Sequence, residues 1–167
     1  YRSEPDEYLE MIASAKKAVR MPIIASLNGS SKGGWVHYAK MMQDAGADAI
    51  ELNIYFVPAD PDMSGVDVEA RYVDLVATVK KSISIPLAVK IGPHFSALAN
   101  FAVQLSQAGA DGLVLFNRFF QPDIDLETME AHSKLHLRTP AELLVPLRWI
   151  ALLHGRVNAS LAATGGI

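Results

Sequence analysis

Ala45-Gly46-Ala47-Asp48-Ala49-Ile50-Glu51-Leu52-Asn53 returns as Ala108-Gly109-Ala110-Asp111-Gly112-Leu113-Val114-Leu115, and this doubled passage decides the fold. Each copy follows a helical stretch and, before it, a proline-led apolar strand. The first strand is Met21-Pro22-Ile23-Ile24-Ala25-Ser26-Leu27 and the second Ile85-Pro86-Leu87-Ala88-Val89-Lys90-Ile91. The two tetrads begin at residues 45 and 108, 63 apart, and the prolines at 22 and 86, 64 apart. A repeated strand–helix–strand unit whose strands are apolar on both faces predicts a parallel sheet covered by helices. Active sites of such sheets lie at the carboxyl ends of the strands.

Working outward, residues 4–19 read as an amphipathic helix with Leu9, Ile12 and Ala13 on one face. Residues 21–28 form a strand, 29–34 a loop, and 35–44 a helix stopped by Gly46. Residues 48–54 form the next strand. Residues 55–65, with Pro58, Pro61 and Gly65, form a long loop. Helix 66–82, strand 86–91, helix 95–107 and strand 112–117 follow, then a long excursion over 118–138. Thr139-Pro140-Ala141-Glu142 is a helix start, and Pro146 demands a kink or a fresh start soon after. A last strand over 159–164 ends in two glycines. This alternation predicts an α/β chain, a (β/α)₈ TIM barrel of which these are the middle and later strands.

Composition narrows the function. With 167 residues, half of them apolar, the chain can bury one substantial core, so residues 1–167 are expected to be a single domain. A net charge of −3 and a pI near 5.9, with no basic run, argue against nucleic-acid partners. The longest apolar stretch, 141–153, is interrupted by Glu142, Pro146 and Arg148 and is too short to span a bilayer. With no signal peptide visible, a cytoplasmic location is expected. Absent cysteine excludes disulfides and thiolate chemistry within this segment. The chain opens at Tyr1 without methionine and stops at Ile167, just past a strand, so it is expected to be incomplete at both ends. A complete barrel would add about 100 or more residues.

Four strand ends carry polar groups: Asn28, Asn53, Lys90 and Asn117. A lysine and three amides on one rim could surround a planar polar ligand. Lys90 lies between Val89 and Ile91, where an unpaired ammonium would cost several kcal/mol. It is therefore functional, paired with Glu51, or extended out of the barrel mouth. Asp48 and Asp111, at the amino ends of their strands, read as stabilising the preceding turn. Thr164-Gly165-Gly166 offers backbone amides that a phosphate could approach. His94 could face the site, and Tyr55 and Phe56 would stand over its rim. His37 and His154 read as ordinary helix residues, His132 and His136 fall in the excursion, and no zinc-type ligand set is evident.

Together, Ile24-Ala25-Ser26-Leu27-Asn28-Gly29, Ile50-Glu51-Leu52-Asn53-Ile54, Ala88-Val89-Lys90-Ile91 and Thr164-Gly165-Gly166 resemble the flavin-binding barrel of dihydroorotate dehydrogenases. The flavin domain of dihydropyrimidine dehydrogenases is similar to the first segment. The resemblance implies FMN across the strand ends, with Lys90 at the polar edge of the ring and as the catalytic residue. It implies Asn53 and Asn117 as contacts to cofactor and substrate, Asn28 as a further substrate contact, and Thr164, Gly165 and Gly166 as half a phosphate site. The reaction implied is oxidation of a CH–CH bond in a dihydropyrimidine-like substrate, in pyrimidine metabolism. The partners implied are a small-molecule substrate and a redox partner protein or a second copy.

One departure concerns the base. In that family the segment like Glu51-Leu52-Asn53 runs on through a small residue to a cysteine or serine base, then Pro-Asn. Here Phe56 stands at the base position, and the asparagine after the proline is missing. Little turnover of dihydroorotate is therefore expected, with Phe56→Cys restoring some. Tyr55 and Ser64 are the nearby groups that could substitute. Two other readings stay open: a Schiff-base or phosphate-sugar barrel enzyme using Lys90, and a non-catalytic flavin-binding subunit of a complex.

Overall fold

The computed structural model describes residues 5–29, 32–117, 123–132 and 139–167. Helix α1 (Pro5–Ala18) begins on proline, with Asp6 and Glu7 in its first turn and Lys16 and Lys17 in its last, an order that suits the helix dipole. Then come β1 (Ile24–Leu27), α2 (Lys32–Asp44), β2 (Ala49–Asn53), α3 (Gly65–Ser82), β3 (Leu87–Ile91), α4 (Leu98–Gln107) and β4 (Gly112–Leu115). A short hairpin, β5 (Asp123–Ile124) with β6 (Ala131–His132), precedes a 3-10 turn (Pro140–Leu143), α5 (Leu144–Leu153) and β7 (Ser160–Ala163). The main sheet has the order β1-β2-β3-β4-β7, and every pairing in it is parallel. It is the strand–helix alternation of part of a TIM barrel.

One face of the sheet is covered by helices. Ile50, Leu52, Leu87, Val89, Ile91, Leu113 and Leu115 are fully buried there, beside Val76, Val79, Phe101 and Leu105 of the helices. Each such side chain contributes about 1.5–3 kcal/mol by leaving water. The expectation of strands apolar on both faces needs correction. The alternate positions carry Ile24, Ala49 and Val114 together with Ser26, Glu51, Asn53, Ala88, Lys90, Gly112, Ser160 and Ala162, a half-buried or exposed mixture of apolar, small and polar groups.

The doubled passage builds the same latch twice. Lys16 of α1 reaches Asp48 at 2.5 and 2.7 Å, and the Ile23 N–H donates to the same carboxylate at 2.7 Å. Lys80 of α3 reaches Asp111 at 2.7 Å, where the Leu87 N–H donates at 2.8 Å. Asp48 and Asp111 thus tie a helix end and the neighbouring strand together, the structural role read from their position. Each lysine stem runs past the glycine of its tetrad. A Cβ on Gly109, whose φ is +109°, would lie 2.7 Å from Lys80 Cγ. Both the space and the left-handed backbone demand glycine.

Other boundaries shift for local reasons. Helix α2 begins at Lys32, so Gly33-Gly34 lies in its first turn and is not a separate turn. Gly65 joins α3, because Ser64 forms a reciprocal capping box with Asp67. Helix α4 starts at Leu98, three residues later than expected; Phe95 instead stacks on Phe101, with ring centroids 4.2 Å apart. Glu142 returns to the Thr139 N–H at 2.6 Å, as the motif predicts, and the 3-10 turn gives way to α5 two residues before Pro146. At the β1 edge, Tyr8 of α1 donates its hydroxyl to the Ser26 carbonyl at 3.1 Å and accepts from the Ser26 N–H at 3.0 Å.

Candidate functional site

Register sets the site. Asn53, the last residue of β2, pairs with Lys90 of β3, and Lys90 pairs with Val114 of β4. Beyond β4, the Asn117 N–H donates to the Ile91 carbonyl at 2.7 Å, which carries that residue up to the same rim. Its side chain then crosses above β3 and donates from Nδ2 to Asn53 Oδ1 at 2.5 Å. Asn117 is 8% exposed, the one polar side chain so deeply buried among the described residues. A buried amide needs such a partner, since leaving one unpaired costs about 1–3 kcal/mol.

Lys90 takes one of the roles read from the sequence, a pairing with Glu51. Its Nζ stands 3.9 Å from Glu51 Oε1, and Ser26 Oγ donates to that same oxygen at 3.0 Å. The separation is a charge contact rather than a hydrogen bond, so the ammonium keeps donors for another acceptor. Ser26 was not singled out by sequence reasoning. Its signal was the register, which sets Ser26 opposite Glu51.

Asn28 follows Leu27, the partner of Leu52, so it stands level with Asn53 one strand away, and it is exposed. At the other end, the Thr164 N–H donates to the Leu115 carbonyl at 2.7 Å, holding the start of the glycine corner beside β4. Gly165 and Gly166 have φ of +84° and +75°. A Cβ on Gly166 would lie 2.8 Å from the Thr139 carbonyl oxygen and 2.9 Å from the Leu143 nitrogen. Packing against the 3-10 turn thus requires Gly166 before any ligand is considered.

Phe56 follows the carboxyl end of β2 in the chain. The Arg71 guanidinium lies 5.7 Å from its ring centre, and its backbone N–H bonds to the Tyr72 hydroxyl. With Gly29, Trp35, Tyr55, Tyr72 and Asp74 it lines a cavity of about 530 Å³ against α2 and α3. Burial pushes the Tyr72 phenol up to about 12, partly offset by the Phe56 N–H. Tyr55 is half-exposed. Ser64 is engaged as the cap of α3, its hydroxyl 2.6 Å from Asp67 Oδ2. His94 is exposed in the loop after β3, His37 is exposed on α2 edge-on to Tyr38, and His154 closes α5. His136 lies outside the described residues, and His132 is placed only as part of β6. No cluster of three metal-ligating side chains occurs among the described residues, and no helix there is long and apolar enough to cross a membrane.

The donor set suits the polar edge of a flavin ring. That edge presents carbonyl and ring-nitrogen acceptors, and here an ammonium with no hydrogen-bond acceptor among the described residues sits beside an amide pair on one rim.

Comparison with known proteins gives a consistent result. The family model described as dihydroorotate dehydrogenase matches residues 5–137. The chain is similar to the dihydroorotate dehydrogenase B (NAD(+)) catalytic subunit of Bacillus mycoides, 32% identical over 153 residues, 88% of this chain and 49% of that protein. The corresponding catalytic subunit of Caldicellulosiruptor saccharolyticus is 30% identical over 156 residues, 90% of this chain and 51% of that one. The chain therefore spans about half the length of these curated relatives. Among solved structures, a candidate deoxyribose-phosphate aldolase from Toxoplasma gondii superimposes with a TM-score of 0.62 at 19% identity, over 98% of this chain and 76% of that one. A dihydrodipicolinate synthase from Acinetobacter baumannii gives 0.55 at 17% identity, over 97% and 47%. At such identities these two show the fold alone.

Proposed function

Because this chain belongs to the dihydroorotate dehydrogenase family, we propose that it is part of an FMN-dependent barrel oxidoreductase that oxidises a CH–CH bond in a dihydropyrimidine-like substrate. The observation that carries this reading is the convergence of Lys90 with the Asn53–Asn117 amide pair at the carboxyl ends of adjacent strands. Bound FMN would supply the hydride acceptor. Lys90 would hold the polar edge of the ring, and Asn53 and Asn117 would orient ring or substrate, with Asn28 a further substrate contact. Thr164, Gly165 and Gly166 would offer amides to the phosphate. The substrate is a small molecule. The relative named as a catalytic subunit supports a redox partner protein, and a second copy of the chain is the other candidate partner.

The test is a spectrum. Full-length protein should purify yellow and release FMN on denaturation. A colourless protein that gains no flavin absorbance when FMN is added sinks the proposal.

The Glu51 carboxylate beside Lys90 favours this reading over a Schiff-base enzyme, whose lysine must act as a free amine. Borohydride trapping of a phosphorylated aldehyde on Lys90 would reverse that judgement. A second reading, a flavin-binding subunit without dihydroorotate turnover, is favoured by Phe56. No base stands at that position, and Ser64 is engaged in its cap. Its sign is bound flavin that dihydropyrimidines fail to reduce under anaerobic conditions.

A further inference from the structure

Glu51 lies two residues before Asn53 on β2, on the side of the sheet away from the helices, and its Oε1 meets two groups. The Ser26 hydroxyl donates to it at 3.0 Å, and the Lys90 ammonium stands 3.9 Å away. The lysine and glutamate side chains are 24% and 18% exposed, so water screens the pair only in part. Glu51 pairs in register with Ala88, one inward-facing position below Lys90. The lysine is therefore drawn back along its strand toward the carboxylate.

From this geometry we infer that Glu51, held by Ser26, is a positioning residue that sets where the Lys90 ammonium stands and how much of its charge reaches the rim. The inference rests on the flavin reading above for what that charge acts upon. A cation beside the ring stabilises the negative charge of the reduced flavin, and a carboxylate behind the cation opposes it. Removing the two charges should therefore move the flavin potential in opposite directions. A loss of packing alone gives no such opposition.

The experiment compares full-length wild type, E51Q, K90M and the double variant. E51Q should raise the midpoint potential of bound FMN and K90M should lower it. Most of the E51Q effect should vanish in the K90M background, because it acts through the lysine. S26A should shift the potential in the E51Q direction by less, and E51D should recover most of the wild-type value. The inference is overturned if E51Q shifts the potential equally with and without Lys90. It is also overturned if E51Q, folded by circular dichroism, leaves the potential unmoved.

A second readout needs no flavin. Acylation of Lys90 by an N-hydroxysuccinimide ester, followed by peptide mass spectrometry, should be roughly two- to fivefold faster in E51Q, the range of a partly exposed ion pair. An unchanged rate overturns the coupling. If the wild type binds no FMN, the flavin reading fails, and the acylation rate still decides whether Glu51 governs Lys90.

Discussion

Asn117 Nδ2 donates to Asn53 Oδ1 at 2.5 Å, joining residues 64 apart in sequence above the strand that carries Lys90. The ends of β2 and β4 are thereby tied together over β3. Replacing Asn117 by alanine leaves a part-buried acceptor without its donor. Asn117→Ala should lower stability by about 1–3 kcal/mol in urea unfolding. An effect below about 0.3 kcal/mol would mean that water replaces the amide.

Lys90→Ala should weaken FMN binding or slow flavin reduction. Losing a charge-assisted contact of about 1.5–3 kcal/mol corresponds to roughly 10- to 150-fold in the dissociation constant. Fluorescence titration of FMN measures it. Unchanged affinity and reduction potential together would make the lysine purely structural.

The full-length protein should oxidise dihydroorotate negligibly. Phe56→Cys should restore some turnover, since the cavity that Phe56 lines is bounded by Ile54 and Gly29, just past the carboxyl ends of β2 and β1. A rise within the 10²–10⁴-fold range of a positioned base is the expected result, and no rise would mean that residue 56 is not the base position.

Acid should release both latches. The Lys16 ammonium and the Ile23 N–H hold the Asp48 carboxyl below its usual value of 3.8. For Asp111, burial raises the value, and Lys80 with the Leu87 N–H outweighs it, so the net shift is also downward from 3.8. A depressed folded value stabilises the protein above the unfolded pKa, and that stability is lost as pH falls through the folded value. Stability should therefore drop below about pH 4, and Asp48→Asn with Asp111→Asn should flatten that drop. Urea midpoints measured between pH 6 and pH 2 will show whether it persists.

Tyr72 should ionise late. Absorbance at 295 nm should show one phenol titrating near 12, and that phase should vanish in Tyr72→Phe. Because a raised phenol value favours the fold only while the group stays protonated, the stability it carries fades above pH 10.

The parallel sheet and most of its helices were legible because the doubled tetrad and the two prolines repeat at nearly one interval. The open face was misread because Ala88, Gly112 and Ala162 count as apolar without burying much surface. Two-residue strands such as β5 and β6 show no period at all. The Lys90–Glu51 pairing was foreseeable, since a charge in an apolar strand must find a partner. The direction of Phe56 was not. Loop residues follow no alternation, and its placement depends on Arg71 and Tyr72, fifteen or more residues away.

The Tyr8 hydroxyl makes α1 part of the sheet's own hydrogen bonding. One side chain answers both the N–H and the carbonyl of Ser26, so the helix is fastened to β1 through the backbone of the residue whose hydroxyl meets Glu51. Tyr8→Phe removes both contacts at once and should loosen α1 locally, so that the Ser26 amide exchanges its hydrogen faster than those of its strand neighbours.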